Sequence, residues 1–357
     1  MTGRRAAALL LTLTLLPGCG WMDGSYVSVT PHQVALNQSP EANTRSVSTY
    51  TQLRSALVEL IDAGSTEGLF SLAEYPREDV ERDMERAVRY AIGTYPVGAY
   101  AVESIDYDFG TGLGASALSV DIAYRHSREK IESIRTVRRI SGAEKAIADA
   151  MDEGAQELVL QVTGYQDTDF SGIVRAYAEE NPDRVMETPG VAVQVFPNRG
   201  DTRVLELTFY YRTDKQTLRS MREQVQPVFS SAALYVSGQA EDRIKFSQLH
   251  TFLTERFDDY TIQSTATPAY SLLCQGIGDS RAFSLVYSAM CRRIDLEALC
   301  ISGTRDGAEH WWNLVKIDGV WYHLDLLASR QFQPLSDSEM TGYEWSRKDY
   351  PTAGSAG

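Results

Sequence analysis

The alternation of hydrophobic and polar positions along the chain predicts an α+β protein. Apolar residues recur at spacings of three and four, as in helices with one buried face, in Leu53–Ile61, Arg77–Ile92, Ala143–Asp152 and Asp169–Glu180. They alternate singly with polar residues, as in half-buried strands, in Val102–Asp108, Leu118–Tyr124, Val191–Phe196 and Val204–Tyr211. Helices and strands are therefore interleaved over this half of the chain.

These elements belong to an internal repeat. The segment Glu67–Tyr75 matches Glu157–Tyr165, and Tyr124–Arg135 matches Tyr211–Arg222 at nearly the same offset. Each copy is predicted to run helix–strand–helix–strand–strand. The matched positions are mostly apolar or helix-capping, and neither copy has a Cys/His cluster or a glycine-rich phosphate loop. We expect the repeats to be a scaffold or a binding surface rather than an enzyme.

The last third of the chain has a different order of elements. An amphipathic helix is predicted at Arg243–Phe257, and the glycines of Gly276-Ile-Gly278 precede a helix over Arg281–Arg292. Strands are predicted at Ala298–Ser302, His310–Ile317 and Trp321–Asp325, and Asp318-Gly319 is a strong hairpin signal between the last two.

Composition and charge exclude some partners. The formal net charge is −14, and nucleic acids require clustered Lys and Arg, so a nucleic-acid partner is not expected. No spacing of Cys and His fits a zinc site, and we expect neither a metal nor a cofactor.

The N-terminus is typical of an exported protein. Arg4 and Arg5 precede a short apolar run that ends in Leu16-Pro17-Gly18-Cys19. The run is too short to span a bilayer stably. Leu-x-Gly-Cys resembles a bacterial lipobox, which implies diacylation of Cys19 and a lipid anchor on the extracytoplasmic face of a bacterial membrane. An ordinary cleaved signal with a chance cysteine is the alternative.

If Cys19 carries lipid, three cysteines remain. An odd number leaves at least one free thiol, and we expect Cys274, Cys291 and Cys300 to be small buried side chains. The predicted organisation is a signal peptide (1–18), a tether (19–48), two α/β repeat modules (49–140 and 141–235), a C-terminal domain (240–350) and a disordered tail (351–357).

The order of motifs in residues 243–350 resembles a bacterial transglutaminase-like domain with the papain-type cysteine-protease fold. A glycine-containing turn leads into a helix, His310-Trp-Trp-Asn313 follows on a strand, and Asp318-Gly-Val-Trp-Tyr-His-Leu-Asp325 comes next. The resemblance implies helices packed on an antiparallel sheet. It also implies that the family's nucleophile, base and orienting acid match Ser280, His310 and Asp325, with Gly278, Asp279, Trp312 and Asn313 in the cleft.

The sequence departs from the family at the reactive atom. The family nucleophile is a cysteine thiolate paired with a histidine, whereas Ser280 carries a hydroxyl that needs its proton removed during attack. Ser280 is predicted at a helix N-terminus, where backbone N–H groups stabilise negative charge. Arg281 and Asp279 flank it and are free to pair with each other.

Three functions remain open at this point. The first is a non-catalytic module that binds a peptide, protein or cell-wall ligand. The second is a serine-dependent amidase, peptidase or esterase that uses Ser280, His310 and Asp325. In the third, the repeats bind the ligand and the C-terminal domain is structural.

Overall fold

The computed structural model of the chain describes residues 44–110, 116–260 and 266–354. They form helices packed against three four-stranded sheets, with a further two-stranded sheet, and the predicted α+β class is confirmed. The predicted signal peptide, nearly all of the predicted tether and Cys19 lie outside the described residues. None of the helices in the described ranges is long and apolar enough to cross a membrane.

The first sheet has the strand order β1-β2-β4-β3. Its elements are β1 (Arg45–Ser46), α1 (Tyr50–Asp62), β2 (Glu67–Ser71), α2 (Val80–Gly93), α3 (Pro96–Ala101), β3 (Val102–Gly110) and β4 (Ala117–Tyr124). Strand β1 is parallel to β2, and the other neighbours are antiparallel. A short helix, α4 (Arg128–Glu132), leads to the second sheet.

The second sheet has the same order and the same directions, β5-β6-β8-β7. Its elements are β5 (Arg135–Arg138), α5 (Arg139–Glu153), β6 (Glu157–Thr163), α6 (Phe170–Glu180), β7 (Gly190–Phe196) and β8 (Thr202–Tyr210). The two sheets therefore share one topology.

Each copy begins with a short parallel strand that the hydrophobic pattern did not predict. Strands β1 and β5 have two and four residues, which is too few for a periodicity to appear. Strand β1 lies within the segment predicted as a tether, and Val47 beside it is 1% exposed. The end of that segment is therefore packed against the first sheet.

The C-terminal part places helices on one face of an antiparallel sheet of order β13-β12-β11-β14. Its elements are α7 (Lys215–Tyr235), α8 (Asp242–Thr254), β9 (Asp258–Asp259), α9 (Pro268–Gln275), β10 (Ile277–Gly278), α10 (Ser280–Arg292), β11 (Ala298–Arg305), β12 (Ala308–Ile317), β13 (Val320–Leu324) and β14 (Tyr343–Glu344). The Asp318-Gly319 turn joins β12 to β13, and both of its residues have positive φ, so the predicted hairpin is confirmed.

Helix α10 is the centre of this part. The sequence predicted one buried face, but every residue from Ala282 to Cys291 is buried, because the sheet covers one side and α8 and α9 cover the other. Its polar positions are satisfied internally: Ser284 Oγ donates to the Trp312 carbonyl, and Asn313 Nδ2 donates to Ser288 Oγ. This burial holds the helix N-terminus in one place.

The segment predicted as a disordered tail is partly ordered. Ala353 is 5% exposed, and its N–H donates to Asp337 Oδ1 at 3.1 Å. The N–H of Gly354 donates to the Trp321 carbonyl. The small side chain of Ala353 packs against the sheet, and residues 351–354 cover the sheet at this point.

Candidate active-site cleft

Ser280 is the first residue of α10. Asp279 caps the helix, since its carboxylate accepts the N–H of Ala282 at 2.9 Å. Ser280 Oγ accepts a hydrogen bond from the backbone N–H of Trp311 at 3.2 Å. The hydroxyl is thereby held between a helix N-terminus and strand β12, where backbone N–H groups favour negative charge.

His310 and Asp325 form a hydrogen-bonded pair. Their Nε2 and Oδ2 atoms are 2.7 Å apart, and the side chains are 14% and 4% exposed. An ionised carboxylate only accepts, so His310 donates from Nε2 and, when neutral, keeps Nδ1 as its acceptor. His310 is on β12 and Asp325 follows β13, so the hairpin between these strands brings the two together.

Three further donors support Asp325. Tyr343 donates its hydroxyl to Oδ2 at 2.7 Å, Arg305 reaches the same oxygen at 3.2 Å, and the N–H of Leu327 donates to Oδ1 at 2.9 Å. Burial by itself would raise the pKa of Asp325, but the hydrogen bonds from His310 and Tyr343 outweigh burial and hold this pKa below its usual range. The carboxylate therefore remains charged beside the imidazole.

The serine and the histidine line one cleft but are not bonded to each other. The cleft has a volume of about 410 Å³. Among the described residues, Ser280 Oγ has its hydrogen bond with Trp311 and none with His310. The walls of the cleft are Asp259, Asp279, Ser280, Arg281, Glu309, His310, Trp311 and Leu327.

Two residues predicted in the cleft lie in the interior instead. Trp312 and Asn313 are both 0% exposed. Trp312 donates from Nε1 to His323 Nδ1, while Asn313 donates to Ser288 and to the Ser284 carbonyl. Adjacent residues of a strand point to opposite faces, and Trp311 is the tryptophan that faces the cleft.

Of the other two predicted cleft residues, one lines the cleft and one does not. Asp279 lines the cleft beside Ser280. Gly278 is buried on β10, where its carbonyl accepts the N–H of Tyr260. A Cβ at Gly278 would lie 2.8 Å from Ala282 Cβ and 3.1 Å from Leu272 Cβ. The glycine therefore allows α9 and α10 to approach each other closely.

The cleft is acidic, and the sequence did not reveal all of its carboxylates. Asp259, on β9, lines the cleft because β9 pairs with β10. No sequence motif indicates this pairing. Burial, followed by the neighbouring Asp279 carboxylate, raises the pKa of Asp259. Glu309 comes from the strand that carries His310.

Arg281 does not pair with Asp279, a pairing that the sequence left open. Arg281 forms an ion pair with Glu179 of α6 and stacks over the Trp311 ring at 4.9 Å. Asp279 is occupied by the Ala282 N–H instead. The second repeat module thus contributes a charge to the edge of the cleft.

The remaining cysteines lie away from the cleft, and one is not buried as expected. Cys291 is buried, Cys300 is half-buried on β11 and Cys274 is exposed at the end of α9. Burial raises the pKa of all three thiols. In the described residues, no group of three or more His, Cys, Asp or Glu side chains has the arrangement of a metal site.

Comparison with known proteins finds a family match for the C-terminal part of the chain. The family model of the transglutaminase-like superfamily matches residues 230–326. No curated protein matches the chain. A crystal structure of a TGase is 12% identical, with a TM-score of 0.28, over 56% of this chain and 57% of that one. Calcium-bound LapG from Legionella pneumophila is 13% identical, with a TM-score of 0.27, over 41% of this chain and 85% of that one.

Structural likenesses this distant carry no activity across, and this chain spans just over half the length of the TGase. The family match rests on the sequence itself, and it begins within α7 and ends one residue after Asp325. Residues 230–326 therefore match the transglutaminase-like superfamily, and we call this part the transglutaminase-like domain; Ser280, His310 and Asp325 all lie inside it.

Proposed function

We propose that the transglutaminase-like domain binds a peptide, protein or cell-wall ligand without cleaving it. The observation that carries this proposal is the hydrogen bonding of the Ser280 hydroxyl, at the position that we assign to the family's cysteine. Ser280 Oγ is engaged by the Trp311 N–H and has no hydrogen bond to His310 among the described residues. A hydroxyl does not form the thiolate–imidazolium pair on which cysteine chemistry depends.

A serine-dependent amidase, peptidase or esterase is the second candidate. The intact His310–Asp325 pair, with its support from Tyr343 and Arg305, favours it. In such an enzyme His310 would take the proton of Ser280 during attack, and Asp325 would stabilise the imidazolium. The two candidates differ in whether Ser280 is activated.

A fluorescent fluorophosphonate separates them. The chain without its first 19 residues is treated with the probe beside Ser280→Ala and His310→Ala. We expect no Ser280-dependent labelling of the folded protein. Labelling that disappears in both variants would show an activated serine and would overturn the non-catalytic proposal in favour of the hydrolase.

We further propose that the protein is anchored by lipid on Cys19 at the extracytoplasmic face of a bacterial membrane. The basic start, the short apolar run and Leu16-Pro17-Gly18-Cys19 support this. Growth with an alkynyl fatty acid should label the full-length chain but not Cys19→Ser. If neither the full-length chain nor Cys19→Ser were labelled, the proposed lipidation of Cys19 would be contradicted.

A further inference from the structure

Strand β11 has a backbone edge without a partner strand. It pairs with β12 along its whole length, but on its other side only Thr304 and Arg305 pair with β14. Among the described residues, no strand lies beside 298–303 on that side. Such an edge is a template for pairing with another extended chain.

The hydrogen-bonding groups on this edge can be assigned from the ladder. The N–H of Lys316, at the end of β12, donates to the Glu297 carbonyl at 3.0 Å, so odd-numbered residues of this segment direct their backbone groups toward β12. Directions alternate along an antiparallel strand. Ala298, Cys300 and Ser302 therefore direct their N–H and C=O groups to the open side.

A groove runs beside this edge. It has a volume of about 590 Å³, and its walls come from α6, α10 and the segment near Tyr350. Leu299, at its rim, is 39% exposed. The residues that line it are Ala176, Glu179, Glu180, Asn181, Leu285, Ser288, Arg292, Ala298, Leu299, Cys300, Ser302, Trp311, Asp349 and Tyr350. It is a binding-sized groove with a β-edge in its wall.

The charge of the groove favours a cationic occupant. The groove and the active-site cleft share Trp311 as a wall. The carboxylates that line one or the other are Asp259, Asp279, Glu309, Glu179, Glu180 and Asp349, against the guanidinium groups of Arg281 and Arg292. With the ion pair between Arg281 and Glu179 set aside, five carboxylates remain against the single guanidinium group of Arg292. Complementary charge steers and selects a partner.

We propose that an extended segment of a partner protein, rich in lysine or arginine, adds as a further strand to the free edge of β11. Its backbone pairs with Ala298, Cys300 and Ser302, and every second side chain enters the groove between α6 and α10. This inference rests on the proposed ligand-binding function and names the partner class and the surface that function uses.

Binding is tested by fluorescence anisotropy on the chain without its first 19 residues. The probe is a fluorescein-labelled eight-residue peptide of alternating lysine and valine, and the first control replaces each lysine with glutamate. We expect the lysine peptide to bind and the glutamate peptide to bind at least about tenfold more weakly, a ratio worth about 1.4 kcal/mol. Equal affinities would overturn the charge assignment.

Strand addition is tested by blocking amides in the peptide. Two versions of the lysine peptide are N-methylated, one at the odd-numbered amides and the other at the even-numbered amides. Only one of these two sets of amides faces β11 and donates hydrogen bonds to it. We expect the peptide methylated at that set to lose binding and the other peptide to keep it. Binding of both as tightly as the unmodified peptide would show attraction to an acidic surface and would overturn the inference.

The protein offers a matched pair of variants. Ser302→Pro removes an N–H that faces the open side without taking a bond from the β12 ladder, and proline is tolerated on edges of this kind. Ser302→Ala keeps the N–H. Both variants lose the hydroxyl and only one loses the N–H, so we expect binding about tenfold weaker for Ser302→Pro than for Ser302→Ala, with circular dichroism to verify folding. If Ser302→Pro does not fold, the methylated peptides still decide the question.

Failure of this inference is distinguishable from failure of the proposed function. Fluorophosphonate labelling together with edge-dependent peptide binding would overturn the non-catalytic proposal alone. A folded protein that shows neither labelling nor edge-dependent binding would overturn this inference alone.

Discussion

At the scale of single residues, the site is defined by an oriented imidazole beside a hydroxyl. The Asp325 carboxylate accepts hydrogen bonds from His310, Tyr343, Arg305 and the Leu327 N–H. The orientation of the histidine ring therefore does not depend on which side chain stands at position 280. Under the proposed assignment of position 280 to the family's nucleophile, the identity of one atom there would decide the chemistry, because a thiol is ionised far more readily than a hydroxyl.

Restoring a thiol tests whether the surroundings still activate a nucleophile. We expect Ser280→Cys to react with iodoacetamide at pH 7 about tenfold faster than the native cysteines, because a helix N-terminus and a nearby imidazole lower a thiol pKa, whereas burial raises the pKa of Cys274. Mass spectrometry of the labelled peptides gives the rates. His310→Ala combined with Ser280→Cys should slow the alkylation of the introduced thiol. If the Ser280→Cys thiol reacted with iodoacetamide only as fast as Cys274, an activating site would be contradicted.

A second residue-scale feature is a buried histidine held in one tautomer. His323 is 1% exposed, accepts from Trp312 Nε1 at Nδ1 and donates from Nε2 to Asp337. Burial lowers the pKa of His323, and Asp337 offsets only part of this effect. A proton added at Nδ1 would face the Trp312 donor.

The sign of the resulting pH dependence follows from this lowered pKa. The unfolded histidine takes up a proton near pH 6.5 and the folded one only at lower pH, so the unfolded state binds more protons between these values. We expect the free energy of unfolding to fall from pH 7.5 to 5.5, by up to about 1.4 kcal/mol per pH unit from this group. Urea unfolding of the wild type and of His323→Gln at several pH values measures this fall. An equally steep fall in the free energy of unfolding of both proteins would rule out His323 as the cause.

At the scale of elements, α10 carries the site because it is buried all round and capped at its start. Asp279 is both the cap of this helix and a wall of the cleft. The same Asp-to-backbone cap begins α7, where Asp214 accepts the N–H of Thr217 at 3.0 Å. One cap is beside the cleft and the other is not, so their effects on stability and on the site are separable.

We expect Asp279→Ala to lower the free energy of unfolding by about 1 kcal/mol, the usual cost of losing a helix cap. Asp279→Asn keeps an acceptor oxygen and should cost much less. Urea denaturation measures both, with Asp214→Ala as the matched variant away from the cleft. A loss for Asp279→Asn as large as that for Asp279→Ala would mean that the charge, rather than the cap, is what matters.

At the scale of the whole molecule, the transglutaminase-like domain shares its core with the second repeat. Residues 44–357 form one compact unit, and Arg281 and Arg292 of α10 both reach α6. One hydrophobic cluster joins Met186, Leu218, Val225 and Phe229 to the side chains around α10. Helix α7 is therefore part of the core around α10, and Met186 extends that core into the second repeat.

Cutting the chain after α7 should prevent the C-terminal part from folding. The four large side chains lost with residues up to 235 contribute roughly 1.5–3 kcal/mol each, which is comparable to the whole stability of a typical domain, about 5–15 kcal/mol. We expect residues 44–357 to unfold cooperatively and residues 236–357 to show no transition by circular dichroism. A cooperative transition in the shorter chain would contradict a shared core.

Local pattern determined much of this protein. Helical spacing and strand alternation indicated the main elements, the α+β class and the Asp318-Gly319 hairpin, because each depends on neighbours in sequence. The order of the motifs also indicated the family match over residues 230–326. The roles of Ser280, His310 and Asp325 stay predictions, although the structure places all three at one site.

Tertiary packing decided the rest. Strand periodicity leaves open which of two adjacent tryptophans faces a cleft. The C-terminal segment, with Met340, Trp345 and Ala353, buries Trp312 on one face of the sheet, and Trp311 lies at the cleft on the other face. Asp259 and Tyr343 reach the site through strand pairings that no local motif encodes. The sequence alone determined the main elements, because they depend on short-range order, whereas the short strands β1 and β5, the lining of the cleft and the open edge of β11 depend on contacts between distant segments.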